Sequence, residues 1–117
     1  YEVLEAVNTK YVRFGPDIGQ LMKGGANPVQ VVKDFLPIVE HMHLKDYNGE
    51  NSHLAGYCPL GEGRVDIPAI LDLVEKRKLS GMVMVELDND RTTSLVPLDL
   101  VKTSKAYLQT LGVTFRS

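Results

Sequence analysis

Gly81-Met-Val-Met-Val-Glu-Leu-Asp88 is the stretch on which the fold turns. Its apolar run, Met82 to Val85, follows a glycine and ends at a carboxylate. A short continuous apolar run of this kind fits a strand covered on both faces, as in parallel sheets flanked by helices. The strand is expected over 82–87, with Glu86 at its mouth. A carboxylate there is rarely left without a partner or an ion. Asp88 lies on the same face, where it either supports a site or caps the next segment.

Upstream, Val39-Glu-His-Met-His-Leu44 reads as a second strand. His41 and His43 are two apart and so share a face. Neutral imidazole is the commonest nitrogen ligand for Zn, Mn, Fe or Ni. His43 closes the strand just before a long loop and is the ligand candidate. His41, one pleat deeper, reads as structural. A third strand, Tyr11-Val-Arg-Phe14, is closed by Gly15-Pro16, and Asp17 follows it. Asp17 alone suits a turn; beside His43 and Glu86 it becomes a third ligand candidate.

Helical patterns separate the strands. Glu2 to Val7 reads as the last turns of a helix, broken at Asn8-Thr9. Asn27 and Pro28 suit the N-cap and first position of a helix with Val31, Val32, Phe35 and Leu36 as its apolar stripe. Lys45 to Gly63 is polar and aperiodic, a loop length that usually serves a site. Asp66 suits the N-cap of a helix through Ile70 and Val74 that ends near Arg77. Pro97 opens an amphipathic helix through Leu100, Val101, Ala106, Tyr107, Leu108 and Leu111, which Gly112 ends.

Alternation of this kind implies right-handed βαβ crossovers and a parallel sheet, with ligands at its carboxyl edge. Three parallel strands alone would leave two unpaired edges and a small core. The chain is therefore expected to be part of a larger protein, with 1–117 forming a single unit of it.

Composition sets further bounds. The chain has 117 residues, 44% hydrophobic and 24% charged, an ordinary globular composition. A formal net charge of -2 offers no field for nucleic acid or an anionic membrane. No apolar run approaches the ~20 residues that cross a bilayer. The chain begins at Tyr1, so any targeting signal would lie upstream, and the expected location is cytoplasmic. Cys58 is the single cysteine and reads as an inert thiol in a loop. Gly61-Glu-Gly-Arg64 has neither GxGxxG nor P-loop spacing, yet it could bring backbone N–H groups or Arg64 to a substrate.

Asp17-Ile-Gly-Gln20, Gly25-Ala-Asn-Pro28, His43-Leu-Lys-Asp46, Gly61-Glu-Gly-Arg64-Val-Asp66 and Gly81-Met-Val-Met-Val-Glu86 together resemble successive landmarks of the xylose-isomerase-like TIM barrels. That superfamily includes sugar-phosphate isomerases and epimerases, ketose 3-epimerases, hydroxypyruvate isomerase, inosose dehydratase and endonuclease IV. The resemblance implies an α/β fold: a partial (β/α)8 barrel, roughly its last three βα units with a parallel sheet. A complete barrel has eight strands and about 250 residues. In the family a divalent metal is held by a Glu, an Asp, a His and a Glu on strands five to eight. The last three fall on Asp17, His43 and Glu86, and the first has no counterpart here. The position three after the Asp, often His, is Gln20; where ketose epimerases carry an Arg this chain has Gly49, with Lys45 the nearest cation.

What the resemblance implies chemically is a divalent ion (Mn2+, Co2+, Mg2+ or Zn2+) acting on a keto-sugar or polyol. Glu86 would bind the ion and move a proton α to a carbonyl, with Gln20, Lys45 and Arg64 facing the substrate. The Val85-Glu86-Leu87-Asp88 ending is similar to that of inosose dehydratases, so dehydration is the alternative reaction. A different possibility is a non-enzymatic module that pairs its open edges with a second copy of itself. Otherwise the expected partner is the missing N-terminal part of the barrel.

Overall fold

The computed structural model describes residues 1–50, 54–88 and 96–115. Two strands form its parallel pair, β1 (Met42–Leu44) and β4 (Val83–Val85), with Met42 opposite Val83 and Leu44 opposite Val85. The Glu86 amide extends this pairing by donating to Leu44 O at 3.0 Å. Beyond the other edge of β1, the segment from Phe14 to Asp17 runs parallel to it. That segment touches at two isolated bridges, Phe14 with Val39 and Asp17 with His43.

The strand expected at Tyr11–Phe14 is therefore not formed. The amides of Tyr11 and Val12 both donate to Asn8 O at 3.0 Å, which folds the chain into a turn and leaves Tyr11 76% exposed. The extended part begins only at Phe14, and Pro16 has no N–H to add to a ladder. Between the bridges the second segment is one residue longer than the first, an irregularity of the bulge type.

Alternation then sorts the side chains. Met42 and Leu44, with Val83 and Val85, turn toward the helix layer and join a core with Ile18, Val32, Ile67 and Ile70. Strand β4 was expected to be buried on both faces, yet Met82 is 67% and Met84 43% exposed. Only its helix-facing side is covered. Its outer edge has no partner strand among the described residues, and the face bearing the methionines lies open.

Among the described residues five α-helices accompany the strands: α1 (Glu2–Ala6), α2 (Ile18–Lys23), α3 (Pro28–Phe35), α4 (Ile67–Arg77) and α5 (Pro97–Thr110). Caps set their starts. Asn27 Oδ1 accepts from the Gln30 amide at 3.2 Å and Asp66 Oδ1 from the Ala69 amide at 3.0 Å, as the sequence predicts. Helix α2 was not anticipated. Helix α5 realises only half of its expected stripe: Leu108 and Ser104 are buried, whereas Val101 is 51% exposed. Its C-terminal half docks where the Leu60 amide donates to Ser104 Oγ at 3.1 Å. Its first half faces Val85 and Leu87 across a cavity of ≈ 320 Å³.

The stretch 45–63, read as loop, contains an antiparallel pair, β2 (Asp46–Tyr47) with β3 (Tyr57–Cys58). Asp46 is 1% exposed and explains the order. Its Oδ1 accepts from the Tyr47 and Val65 amides at 2.9 and 3.0 Å, and its Oδ2 from those of Gly61 and Gly63, both at 3.0 Å. A Cβ on Gly63 would collide with the same carboxylate. Cys58 lies in β3 rather than a loop. Burial first, then the charges of Asp46 and Glu62, push its thiol up to about 12, consistent with an inert group.

The radius of gyration, 14.7 Å, exceeds the roughly 13.4 Å of a compact domain of this length, in keeping with the open face. Among the described residues no helix is long and apolar enough to cross a membrane.

Candidate functional site

Three side chains meet at the carboxyl end of the parallel segments. Asp17 is the N-cap of α2, at the point where the chain leaves its bridge with β1. His43 lies within β1, opposite Asp17. Glu86 immediately follows β4. Each offers one ligand atom, and these atoms lie within 4.8 Å of one another. His43 Nδ1 is 3.8 Å from Asp17 Oδ2 and in direct contact with Glu86 Oε2. All three side chains are partly exposed, so the cluster is reachable from solvent. The His41 ring stands edge-on to that of His43, with centroids 5.0 Å apart, and helps fix its plane.

Lys45 lies beneath them with its side chain 1% exposed. Its ammonium is 3.0 Å from Asp17 Oδ2, 3.1 Å from Glu86 Oε1 and 3.0 Å from Asp88 Oδ2. The ring of Tyr57 packs 4.8 Å away, centroid to nitrogen. Burial acts to lower the Lys45 pKa, but hydrogen bonds to Asp88, Asp17 and Glu86 outweigh it and hold the group above the ordinary lysine range. Room for the lysine stem comes from Gly19, where a Cβ would sit 2.6 Å from Lys45 Cγ.

Of the residues proposed from sequence, Asp17, His43, Glu86 and Lys45 come together. Gln20 contributes its backbone amide to Asp17 Oδ1 at 2.9 Å, and its side chain is exposed. Arg64 is not among the described residues that meet the cluster. Its guanidinium lies 5.9 Å from the Tyr47 ring centre and borders a cavity of ≈ 520 Å³ with Met22, Asn27 and Asp66. Asp88, left open between support and capping, joins the cluster through Lys45. Tyr57 was missed altogether: it is 2% exposed, and its hydroxyl has no hydrogen-bond partner among the described residues. The helix start at Asp17 had a readable sign in Asp17-x-x-Gln20, the spacing of a capping box.

A family profile described as the xylose isomerase-like TIM barrel matches residues 1–111. The chain belongs to that family. Among its curated relatives is an inosose dehydratase of Clostridium botulinum, strain Eklund 17B, 27% identical over 116 residues, covering 87% of this chain and 38% of the relative. The inosose dehydratase of Clostridium perfringens is 26% identical with the same coverage. The chain thus spans about two fifths of the length of these relatives. Similar solved folds include a sugar phosphate isomerase/epimerase from Parabacteroides distasonis, with TM-score 0.71 and 23% identity over 91% of this chain and 33% of that one. A probable 3-DHS dehydratase from Bacillus anthracis superposes with TM-score 0.67 and 21% identity, over 92% of this chain and 42% of the other.

Proposed function

We propose that the chain supplies the last three βα units of a divalent-metal-dependent sugar isomerase or epimerase that works by proton transfer α to a carbonyl. The observation that carries this reading is the Asp17–His43–Glu86 cluster at the carboxyl end of parallel segments. Two carboxylates and an imidazole are a donor set suited to Mn2+, Co2+, Mg2+ or Zn2+. A bound ion would polarise the substrate carbonyl and so acidify the adjacent C–H bond.

The chain's own residues then divide the work. Asp17, His43 and Glu86 would hold the ion, and Glu86 would also carry a proton to or from carbon. Lys45, gripping Glu86 Oε1, fixes how that carboxylate is presented. The side-chain amide of Gln20, a residue exposed in α2, would hydrogen-bond a substrate hydroxyl but cannot titrate. Lys45, expected to face the substrate, is instead buried beneath the carboxylates, and Arg64 borders a cavity with Met22, Asn27 and Asp66, so substrate contact at the cluster is assigned to Gln20. The substrate is a keto-sugar or an oxidised polyol.

A second reading is favoured by the inosose dehydratase relatives: the same proton removal followed by loss of a β-hydroxyl. One experiment separates the two. The complete protein containing this segment is incubated in D2O with Mn2+ and a panel of keto-sugars and inososes, and NMR follows deuterium entry next to the carbonyl. Exchange with epimer or isomer formation supports the first reading, and exchange with water loss the second. Absence of exchange from every substrate, or full exchange by Glu86→Gln, contradicts both.

A further inference from the structure

Lys45 and the candidate metal set share atoms. Asp17 Oδ1 is taken by the Gln20 amide, so Oδ2 is the oxygen turned toward His43, and Lys45 holds that same Oδ2 at 3.0 Å. Glu86 is divided, with Oε1 on Lys45 and Oε2 on His43. Asp88 Oδ2 and the Tyr57 ring complete the surroundings of the ammonium.

The geometry points to Lys45 as an internal cation that competes with a divalent ion for Asp17 and Glu86 and thereby sets the affinity of the site. This inference rests on the metal reading above. An ammonium within hydrogen-bond distance satisfies both carboxylates without any ion, and its charge opposes a second cation at short range in a partly dehydrated site. The lysine is held from several sides. Gly19 leaves space for its stem, the Tyr57 ring packs against its head, and Asp88 gives it a third carboxylate that the metal set does not use. Metal-free protein is thus spared uncompensated carboxylates at this edge, and metal entry requires the ammonium to yield the shared oxygens.

The test is calorimetric titration of Mn2+ into the 117-residue chain and into Lys45→Met and Lys45→Arg. Removing the charge should tighten Mn2+ binding by about tenfold or more. Keeping the charge as arginine should retain the opposition, so any tightening should stay well below that of Lys45→Met. Equal or weaker binding by Lys45→Met overturns the competition while leaving the metal reading in place, and so does tightening of similar size in Lys45→Arg. Absence of saturable Mn2+ binding from all three proteins overturns both. A Lys45→Met chain that folds only when Mn2+ is present supports the inference, because the ion then replaces the missing ammonium. One that stays unfolded at saturating Mn2+ makes Lys45 a structural residue and overturns it.

Discussion

Replacing Asp46 by Asn tests whether one buried carboxylate organises the loop beside the site. Asp46 accepts from four backbone amides, two on each oxygen. Asparagine keeps one oxygen and turns an NH2 group toward the other two donors. Those amides lose their acceptor in a buried place. A hydrogen bond to a charged group contributes about 1.5–3 kcal/mol, so two lost bonds bring the expected destabilisation to about 3–6 kcal/mol. That is a large share of the ~5–15 kcal/mol that holds a domain of this kind together. The chain has five tyrosines and no tryptophan, so tyrosine fluorescence in urea at fixed protein concentration reads the loss. Amide hydrogen exchange locates it: protection should vanish at one pair, Gly61 with Gly63 or Tyr47 with Val65. A change below about 0.5 kcal/mol, the range of ordinary surface substitutions, with protection intact at all four amides, refutes the reasoning.

Three further outcomes are expected. The open edge of β4 and the exposed Met82 and Met84 should drive association, so light scattering at micromolar concentration should give a mass well above 13.0 kDa; a single-chain mass with cooperative unfolding contradicts this. Purified chain should show no isomerase or dehydratase turnover with Mn2+, because the family's strand-five Glu has no counterpart here; robust turnover by material of this mass would remove the partial-barrel proposal. Both Cys58 and Lys45 have folded-state pKa values raised above their ordinary 9.0 and 10.5, so their contributions are complete below those values and are lost as pH rises through the folded ones. These two groups should therefore make stability fall on the alkaline side of 9.0, and native Cys58 should resist a thiol reagent at pH near 8, with rapid native-state labelling the contrary result.

The fold class was legible because its signals are local. Asn27-Pro28 and Asp66 mark helix starts by side-chain chemistry that the backbone obeys directly, and Val83–Val85, within the apolar run, pairs in parallel with Met42–Leu44. What escaped reading depends on distant groups. Order in the 45–63 stretch comes from Asp46 reaching amides 15 to 19 residues away, and no periodicity records such a bond. The strand at Tyr11 failed because Asn8 captured its amides, whereas β-branched and aromatic composition spoke for extension. Exposure of Met82 and Met84 reflects which neighbours are present, a property that composition does not encode.

Convergence of the site was readable in outline, since a residue closing each parallel segment reaches the same edge of the sheet. The second ring of contacts was not. Lys45 follows β1 and reads from sequence as a substrate contact; packing against Gly19 and Tyr57 instead buries it among Asp17, Glu86 and Asp88. The capping role of Asp17 was visible in Asp17-x-x-Gln20, yet it matters chemically because it commits Oδ1 and leaves Oδ2 for the cluster.

Electron paramagnetic resonance of Mn2+ mixed with the chain, and with its Asp17→Asn, His43→Ala and Glu86→Gln variants, shows whether these three side chains hold a divalent ion. The unchanged chain should bind Mn2+ weakly and saturably, each of the three substitutions should abolish that binding, and Arg64→Ala, beside another cavity, should leave it intact. Binding that survives loss of His43 and Glu86, or that Arg64→Ala removes, would contradict the three-residue metal site.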